Sequence, residues 1–457
     1  MKFLSRVPLL WLAYAVESGE NWIVLKIMEA KENNYQTGRE FARYLDKNDP
    51  LSAFRDQFHI PEKAGKPTLY FCGNSLGLQP KRVSQRVNQE LDTWKNKGVE
   101  GHFDGAHPWV TYHHLGKSAI ARLTGGRPHE VVAMNNLTTN LHLMLASFYQ
   151  PKGTRKKILI EAGAFPSDHF AVTTHMIQKG IDPSKHLIEL SIPANGYLSN
   201  DFICQKIHET GEELALVLLP GIQYYTGQFF DSKRITKAAH EAGAFIGFDL
   251  AHAIGNVPLN LHDEDVDFGV WCTYKYLNAG PGNVAGAFVH EKHGLDLSFP
   301  RLSGWWGQDE SIRFEMKNKL MPMKGVDGWM LSNMNILSTS IYLGALEIFE
   351  EAGIEPLREK SIRLTGYLHF LLQADPSISK NLSILTPDAP GERGCQLSLS
   401  FYTKGRDIFL YLKENGAIMD WREPNVIRVA PVPLYNTFEE VYAFIELLKK
   451  AHGYLGL

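Results

Sequence analysis

Ala244-Phe-Ile-Gly-Phe-Asp249, continued by Leu250-Ala-His252, and the later run from Val266 that closes on Trp271-Cys-Thr-Tyr-Lys275 decide how this chain is read. Both runs are apolar almost throughout and of strand length. One ends in a carboxylate and the other in an amine. A strand with no polar alternation belongs inside a sheet covered on both faces, so the spacing predicts that an acid and an ammonium leave one sheet at the same edge. The same texture recurs outward at Val131-Val-Ala-Met134, Lys157-Ile-Leu-Ile160, Leu214-Ala-Leu-Val-Leu-Leu219 and Val284 to His290, with helical stretches such as Ser232 to Ala242 between most of them. Strands alternating with helices predict an α/β domain on a mostly parallel sheet. Upstream, Thr68-Leu-Tyr-Phe-Cys72, the turn Gly73-Asn-Ser-Leu-Gly77 and a helix over Pro80 to Lys97 read as a first βα unit, with Val83, Val87, Leu91 and Trp94 on one helical face.

Beyond about Met321 the texture changes to long amphipathic helices, Asn335 to Glu351 and Glu355 to Asp375. The runs Gln396 to Phe401 and Val426 to Ala430 follow, with a helix near Arg406 to Glu414 between them. This predicts a smaller α+β C-terminal domain. The expected organisation is an N-terminal extension over 1–27, an arm with helices over 28–67, a large domain over 68–320 and a small one over 321–457. A substrate crevice belongs between the last two, at the carboxyl ends of the parallel strands.

Bulk properties fit that organisation. A chain of 457 residues exceeds what one core usually supports. With 44% hydrophobic and 21% charged residues, and with neither repeat nor low-complexity tract, disordered and fibrous classes are excluded. A formal charge of -3 gives no field to attract nucleic acid or an anionic membrane, which favours a small-molecule partner. Cys72, Cys204, Cys272 and Cys395 are far apart without a CxxC pair, so neither a disulfide framework nor a zinc site is expected and a cytoplasmic location fits. The cluster His102, His107, His113 and His114 fits no zinc signature, and no metal is expected. At the N-terminus, Lys2 and Arg6 precede the apolar run Val7 to Val16, and Ala13-x-Ala15 looks like a signal-peptidase site. The run is too short to span a bilayer; an upstream extension, with Met28 as an alternative start, is the competing reading.

Singly, an acid at a strand end is a helix cap and a lysine after a strand reaches solvent. Together, Asp249 and Lys275 suit pyridoxal 5′-phosphate (PLP): an anionic carboxylate keeps a pyridine nitrogen protonated, and an amine holds the aldehyde covalently. Gly280-Pro-Gly282 allows close backbone approach. Asn135 to Asn140 precedes the helical Leu141 to Tyr149 and offers either backbone N–H groups to a phosphate or a plain cap by Thr138 or Thr139. Phe165-Pro-Ser-Asp168 offers an aromatic face to a ring, or an ordinary turn.

Five segments resemble the signatures of the kynureninase family, in the family's order and spanning residues 68 to 436. They are Tyr70-Phe-Cys-Gly-Asn-Ser-Leu-Gly77, Phe165-Pro-Ser-Asp168, Asp249-Leu-Ala-His252, Trp271-Cys-Thr-Tyr-Lys-Tyr-Leu-Asn-Ala-Gly280 and Arg428-Val-Ala-Pro-Val-Pro433. The resemblance implies a PLP-dependent transferase fold of type I with a seven-stranded sheet, and hydrolysis of L-kynurenine to anthranilate and L-alanine, with 3-hydroxy-L-kynurenine as a second substrate left open. That places the chain in tryptophan catabolism or NAD biosynthesis. It implies that Lys275 carries the cofactor and, with Tyr274, does the proton chemistry. Asp249 would meet the pyridine nitrogen with Asp168 beside it, Phe165 would stack on the ring within Phe165 to Asp168 (Pro166 and Ser167 included), and His252 would lie alongside. Leu137, Thr138 and Tyr274 would take the phosphate. Arg428 would grip the substrate carboxylate, with Ser75, His102 and Asn333 also on the substrate. Trp305 and Asn333 would come from the second subunit of a homodimer with shared active sites. Pro220 stands where some members carry a phosphate-side serine, which puts one hydrogen bond in doubt. Two alternatives remain: a cysteine desulfurase or selenocysteine lyase, which needs a mobile nucleophilic cysteine that the stretch between Cys272 and Cys395 lacks, and a catalytically idle PLP-binding protein.

Overall fold

In the computed structural model, which describes residues 35–192 and 197–457, the N-terminal part runs through α1 (Arg39–Lys47), β1 (Leu69–Tyr70) and α2 (Val83–Lys97) before the main sheet begins. Residues 1–27 and Met28, for which a leader or an extension is expected, lie outside the described residues. The main sheet is built from β2 (Val131–Ala133), β3 (Lys157–Glu161), β4 (Leu187–Leu190), β5 (Leu214–Pro220), β6 (Phe245–Asp249), β7 (Phe268–Trp271) and β8 (Gly286–Val289). Helices α3 (Leu137–Phe148), α4 (Pro166–Gln178) and α5 (Ser232–Glu241) are among the connections. The seven strands lie in the order β2-β8-β7-β6-β5-β3-β4. All run parallel except β8, which is antiparallel to both neighbours. The seven-stranded, mostly parallel α/β sheet expected from the sequence is therefore present.

Which seven strands form it differs from the sequence reading. Thr68–Cys72 is not a member: β1 pairs in parallel with β11 (Ala417–Ile418), some 350 residues away. The seventh strand is instead β4, at the edge beside β3. Its burial is partial, with Glu189 exposed, so it lacks the continuous apolar signature that marks the interior strands. The expected apolar face of α2 is also only partly inward. Val83 is buried, yet Leu91 and Trp94 are 40% and 63% exposed.

Packing within the sheet explains how its edge is held. Phe268 and Trp271 of β7 lie opposite Gly247 of β6 and Gly286 of β8. A Cβ at either glycine would collide with the facing aromatic ring. Large rings laid over bare backbone on both sides fix the register of three strands, and with it the positions where β6 and β7 deliver Asp249 and Lys275.

The C-terminal part contains α6 (Ile336–Ala352), α7 (Ile354–Ala374), β9 (Leu382–Ile384), β10 (Leu397–Phe401), α8 (Gly405–Glu414), β11, β12 (Asp420–Arg422), β13 (Val426–Val429) and α9 (Phe438–Leu455). Strands β9-β10-β13-β12 form an antiparallel sheet. It shares a second hydrophobic core with α7, α9 and α1. The arm is tied to this core: the Asp46 carboxylate accepts hydrogen bonds from the N–H groups of Phe438 (2.7 Å) and Glu439 (2.9 Å), capping α9 from another helix.

Candidate active site

A cavity of about 160 Å³ opens at the carboxyl ends of β3, β5 and β6, and Lys275, Asp249, Asp168, His252, Phe165 and Tyr274 all line it. Leu137, Thr138 and Ser167, also expected on the cofactor, line it as well. This is the crevice position that a parallel sheet favours for ligands.

Lys275 sits in a loop pinned at several points. Thr273 Oγ1 donates to the Val284 carbonyl (2.6 Å), and Ala279 N–H donates to Thr273 O (3.0 Å). Asn278, at φ 57°, takes the left-handed conformation that asparagine tolerates and donates its N–H to Lys275 O (3.0 Å). The turn 73–77 braces the loop from outside through Gly77 N–H to Tyr274 O (2.8 Å). A side chain at 77 would strike the Lys275 carbonyl, so glycine is required there.

The Lys275 Nζ lies 2.9 Å from His252 Nε2, 5.8 Å from the centre of the Phe165 ring and 6.0 Å from that of Tyr274. Burial, and after it the nearby lysine charge, holds the His252 imidazole well below its ordinary pKa. The ring is therefore neutral, with one nitrogen a donor and the other an acceptor. Its Nδ1 is buried without a partner among the described residues.

Asp249 and Asp168 form a buried pair. Burial raises both carboxyls; the Asp249 charge raises Asp168 further, while Lys275 and the Ala251 N–H (2.7 Å) favour the ionised form of Asp249. One proton held on Asp168 toward Asp249 satisfies both groups, which leaves one negative charge facing the cavity. Asp168 arrives in the first turn of α4 because Pro166 occupies the helix start. Pro166 itself does not line the cavity.

At the opposite end, α3 is capped by Asn136, whose Oδ1 accepts from Thr139 N–H (3.1 Å), rather than by Thr138 or Thr139. Leu137 and Thr138 are left at the cavity wall with first-turn N–H groups that no helix carbonyl reaches, a standing site for a phosphate. Pro220 also lines the cavity and brings no hydroxyl to it.

Arg428 on β13 is 1% exposed. Its Nη1 donates to Tyr224 O (2.7 Å) and its Nη2 to Ser75 Oγ (3.2 Å), and Nη2 also pairs with Asp420. Nε is buried without a partner among the described residues. Burial lowers its pKa to about 10, which leaves it charged at neutral pH. Ser75, expected on the substrate, is instead part of this anchor: its Oγ donates to Asp420 Oδ2 (2.5 Å).

Besides Pro166, Ser75 and Arg428, three further expected residues do not line the cavity within this chain. His102 lies in the turn Gly98–His102, its Nδ1 3.0 Å from Val99 O and its ring edge-on to Trp109 at 5.2 Å. Trp305 is 48% exposed, and Asn333 is exposed beside Ser332 on another depression.

Sequence reasoning passed over Glu161, Gln223, Tyr224 and Asp420. Glu161 ends β3 as Asp249 ends β6, an apolar strand closing on an acid, so the signal was available. Tyr224 follows β5 in Gly221-Ile-Gln-Tyr-Tyr-Thr-Gly-Gln228 and meets Phe165 edge-on at 5.2 Å.

A pyridine aldehyde phosphate fits this set: an amine, a buried carboxyl pair, an aromatic face and a helix start occur around one cavity, and a buried imidazole nitrogen has no partner among the described residues. Comparison with known proteins agrees. The family profile described as "Kynureninase C-terminal domain" matches residues 357–448. The chain is 51% identical over 412 residues to a protein named kynureninase from Xanthomonas campestris pv. campestris (strain B100), covering 89% of this chain and 96% of that one. It is 47% identical over 418 residues to one of the same name from Flavobacterium psychrophilum, covering 91% and 98%. Among solved structures, the cysteine desulfurase CsdA from Escherichia coli superposes with a TM-score of 0.71 at 18% identity, covering 88% of this chain and 98% of that one. The cystine C-S lyase C-DES gives 0.69 at 18% identity, covering 83% and 97%. At such identity the structural likeness speaks to the fold alone.

Proposed function

The chain belongs to the kynureninase family, and on that premise we propose that it hydrolyses L-kynurenine to anthranilate and L-alanine. The observation that carries the proposal is the convergence of Lys275, the Asp249–Asp168 pair and neutral His252 on one cavity, with Arg428 anchored nearby.

Pyridoxal 5′-phosphate bound there supplies an electron sink for the charge that develops when the substrate's Cα proton leaves. Lys275 is the residue that carries the cofactor and moves that proton; the His252 Nε2 contact aims its amine. The single negative charge of the Asp249–Asp168 pair stands ready to keep a pyridine nitrogen protonated. Phe165, braced by Tyr224, supplies the stacking face. The first turn of α3 receives the phosphate at Leu137 and Thr138. Burial holds the Tyr274 phenol in its protonated form, so it can donate to the phosphate or return a proton late in the reaction. Arg428, kept charged, receives the α-carboxylate. Water adds at the γ-carbonyl and the Cβ–Cγ bond breaks with its electron pair passing to Cβ; the aryl fragment leaves as a carboxylate, and Cβ takes up a proton to become the alanine methyl group.

The desulfurase alternative lacks its nucleophile. No cysteine lines the cavity, and Cys272 and Cys395 are buried with their thiols pushed up by burial. The homodimer is part of the proposal. Phe103 packs on Phe314 at 5.9 Å and Phe314 on Trp305 at 5.6 Å, so His102 and Trp305 flank one exposed aromatic surface. A second copy laid on that surface would receive both residues near its own cavity, with Asn333. The free cysteines support a cytoplasmic location. No helix among the described residues is long and apolar enough to cross a membrane.

The test is incubation of the cofactor-loaded protein with L-kynurenine and, separately, 3-hydroxy-L-kynurenine, following product fluorescence and alanine. Turnover is expected with at least one substrate and is expected to vanish in Lys275→Ala; no product from either, relative to heat-inactivated protein, overturns the reading.

A further inference from the structure

Glu161 closes β3 with its side chain 1% exposed, and it lines the same cavity as Lys275, Asp168 and Asp249. Its Oε1 accepts a 3.0 Å hydrogen bond from Gln223 Nε2. Its Oε2 is also buried and has no partner among the described residues. Gln223 is fixed in the donating orientation. Its Oε1 accepts from the N–H groups of Tyr225 (2.5 Å) and Thr226 (2.7 Å), and its Nε2 also donates to Gly163 O (3.1 Å). The glutamine therefore cannot rotate to serve the second carboxyl oxygen. A buried polar atom left unbonded is unfavourable, and the described residues supply no partner for this one.

The charged and titratable groups that share the cavity with Glu161 are Asp168 from α4, Asp249 and His252 at the end of β6, Tyr274 and Lys275 beyond β7, and Tyr224 from the turn after β5. On the side of β4, Glu161 is registered with Leu190, which carries no charge. Among the described residues Lys275 is the one lysine or arginine on the cavity wall, and it faces the Asp249–Asp168 pair. Burial pushes the Glu161 carboxyl up to about 7, with the Gln223 amide pulling in the opposite direction.

We propose that Glu161 is a further cofactor-facing acid of this site, one whose unpartnered oxygen holds a proton toward a hydrogen-bond acceptor on the bound pyridoxal ring. The inference rests on the reading of the cavity as a PLP site. Below its ionisation the carboxyl donates to the ring; above it, a second negative charge stands against a cofactor already facing Asp249. The absorption spectrum and the affinity of the bound cofactor therefore follow the state of Glu161.

The experiment is a substrate-free titration of the holoenzyme between about pH 5.5 and 9, reading cofactor absorbance and cofactor dissociation in parallel. Wild type should show a spectral transition centred near pH 7, with cofactor binding about tenfold weaker above it than below. Glu161→Gln, which keeps the shape but cannot ionise, should lose that transition and bind cofactor equally at both ends; Glu161→Asp should retain a transition at a shifted midpoint. Gln223→Leu, which removes the donor that favours ionisation, should move the midpoint upward. An identical transition in wild type and Glu161→Gln overturns the proposal, and so does an unmoved midpoint in Gln223→Leu if the Gln variant fails to fold. Because no kynurenine is present, a failure here leaves the hydrolase reading standing, and a protein that binds PLP but cleaves no kynurenine leaves this one standing.

Discussion

Replacing Arg428 by lysine keeps the charge and removes the fork, which makes it a direct test of the carboxylate grip. The guanidinium is already tied down: Nη1 to Tyr224 O at 2.7 Å, Nη2 to Ser75 Oγ at 3.2 Å and to Asp420, with Nε buried and without a partner among the described residues. A planar group so fixed can meet a substrate carboxylate with its remaining donors at no further ordering cost. A lysine ammonium at the same place has to choose between Asp420 and the substrate. Losing one or two charge-assisted hydrogen bonds, worth about 1.5–3 kcal/mol each, amounts to about 3 kcal/mol, or roughly a 100-fold fall in kcat/KM. Because the carboxylate is bound in ground state and transition state alike, the loss should appear mainly in KM. Initial rates of anthranilate fluorescence over a kynurenine concentration series measure both constants, and cofactor absorbance with a thermal melt checks that the fold and the cofactor site survive. A kcat/KM within threefold of wild type, or a loss confined to kcat with KM unchanged, refutes the assignment and makes Arg428 a structural partner of Asp420.

Two further outcomes follow from buried charges. Lys360 and Asp49 pair at 2.7 Å with side chains only 5% and 3% exposed; Lys360→Met leaves Asp49, among the described residues, with the Leu51 N–H and should cost about 3–5 kcal/mol, a fall of about 3–5 °C in Tm by calorimetry for a chain of this length, so an unchanged melt contradicts the account. His113 is held down to about 3 by burial and then by the neighbouring His114; its folded value lies below the unfolded 6.5, so its share of stability is complete above pH 6.5 and is lost as the pH falls toward 3. His113→Asn should therefore flatten the decline of Tm between those limits, and an undiminished acid slope would assign the decline to other groups.

The residues that sequence alone could locate were those whose position follows from the strand that carries them. Asp249 and Lys275 terminate or follow interior strands, whose unbroken apolar runs are visible without a structure, and the edge they share is fixed by parallel register. The edge strand Leu187–Leu190 escaped notice because one of its faces meets solvent and its middle carries Glu189. Thr68–Cys72 misled for the opposite reason. It reads as apolar and strand-like, and nothing local reveals that its partner lies at Ala417–Ile418. Ser75 and Asp420 are equally illegible, since their meeting at Arg428 depends on contacts across the whole length of the chain. Leu91 and Trp94 show the limit of periodicity: a shared helical face is visible in the sequence, but what that face meets is not.

The stitch between Leu69–Tyr70 and Ala417–Ile418 has a bearing on how the enzyme comes into being. The segment that carries Ser75 leaves the ribosome hundreds of residues before Asp420 and Arg428, so the anchored guanidinium is completed only once residues 420 to 428 have emerged. Until then a nascent chain lacks the anchored guanidinium to which the proposed function assigns the substrate carboxylate. For the same reason, residues 357–448 excised on their own would expose an unpaired strand and the bare flank of α9 where the arm belongs; the matched segment is a unit of descent before it is a unit of folding.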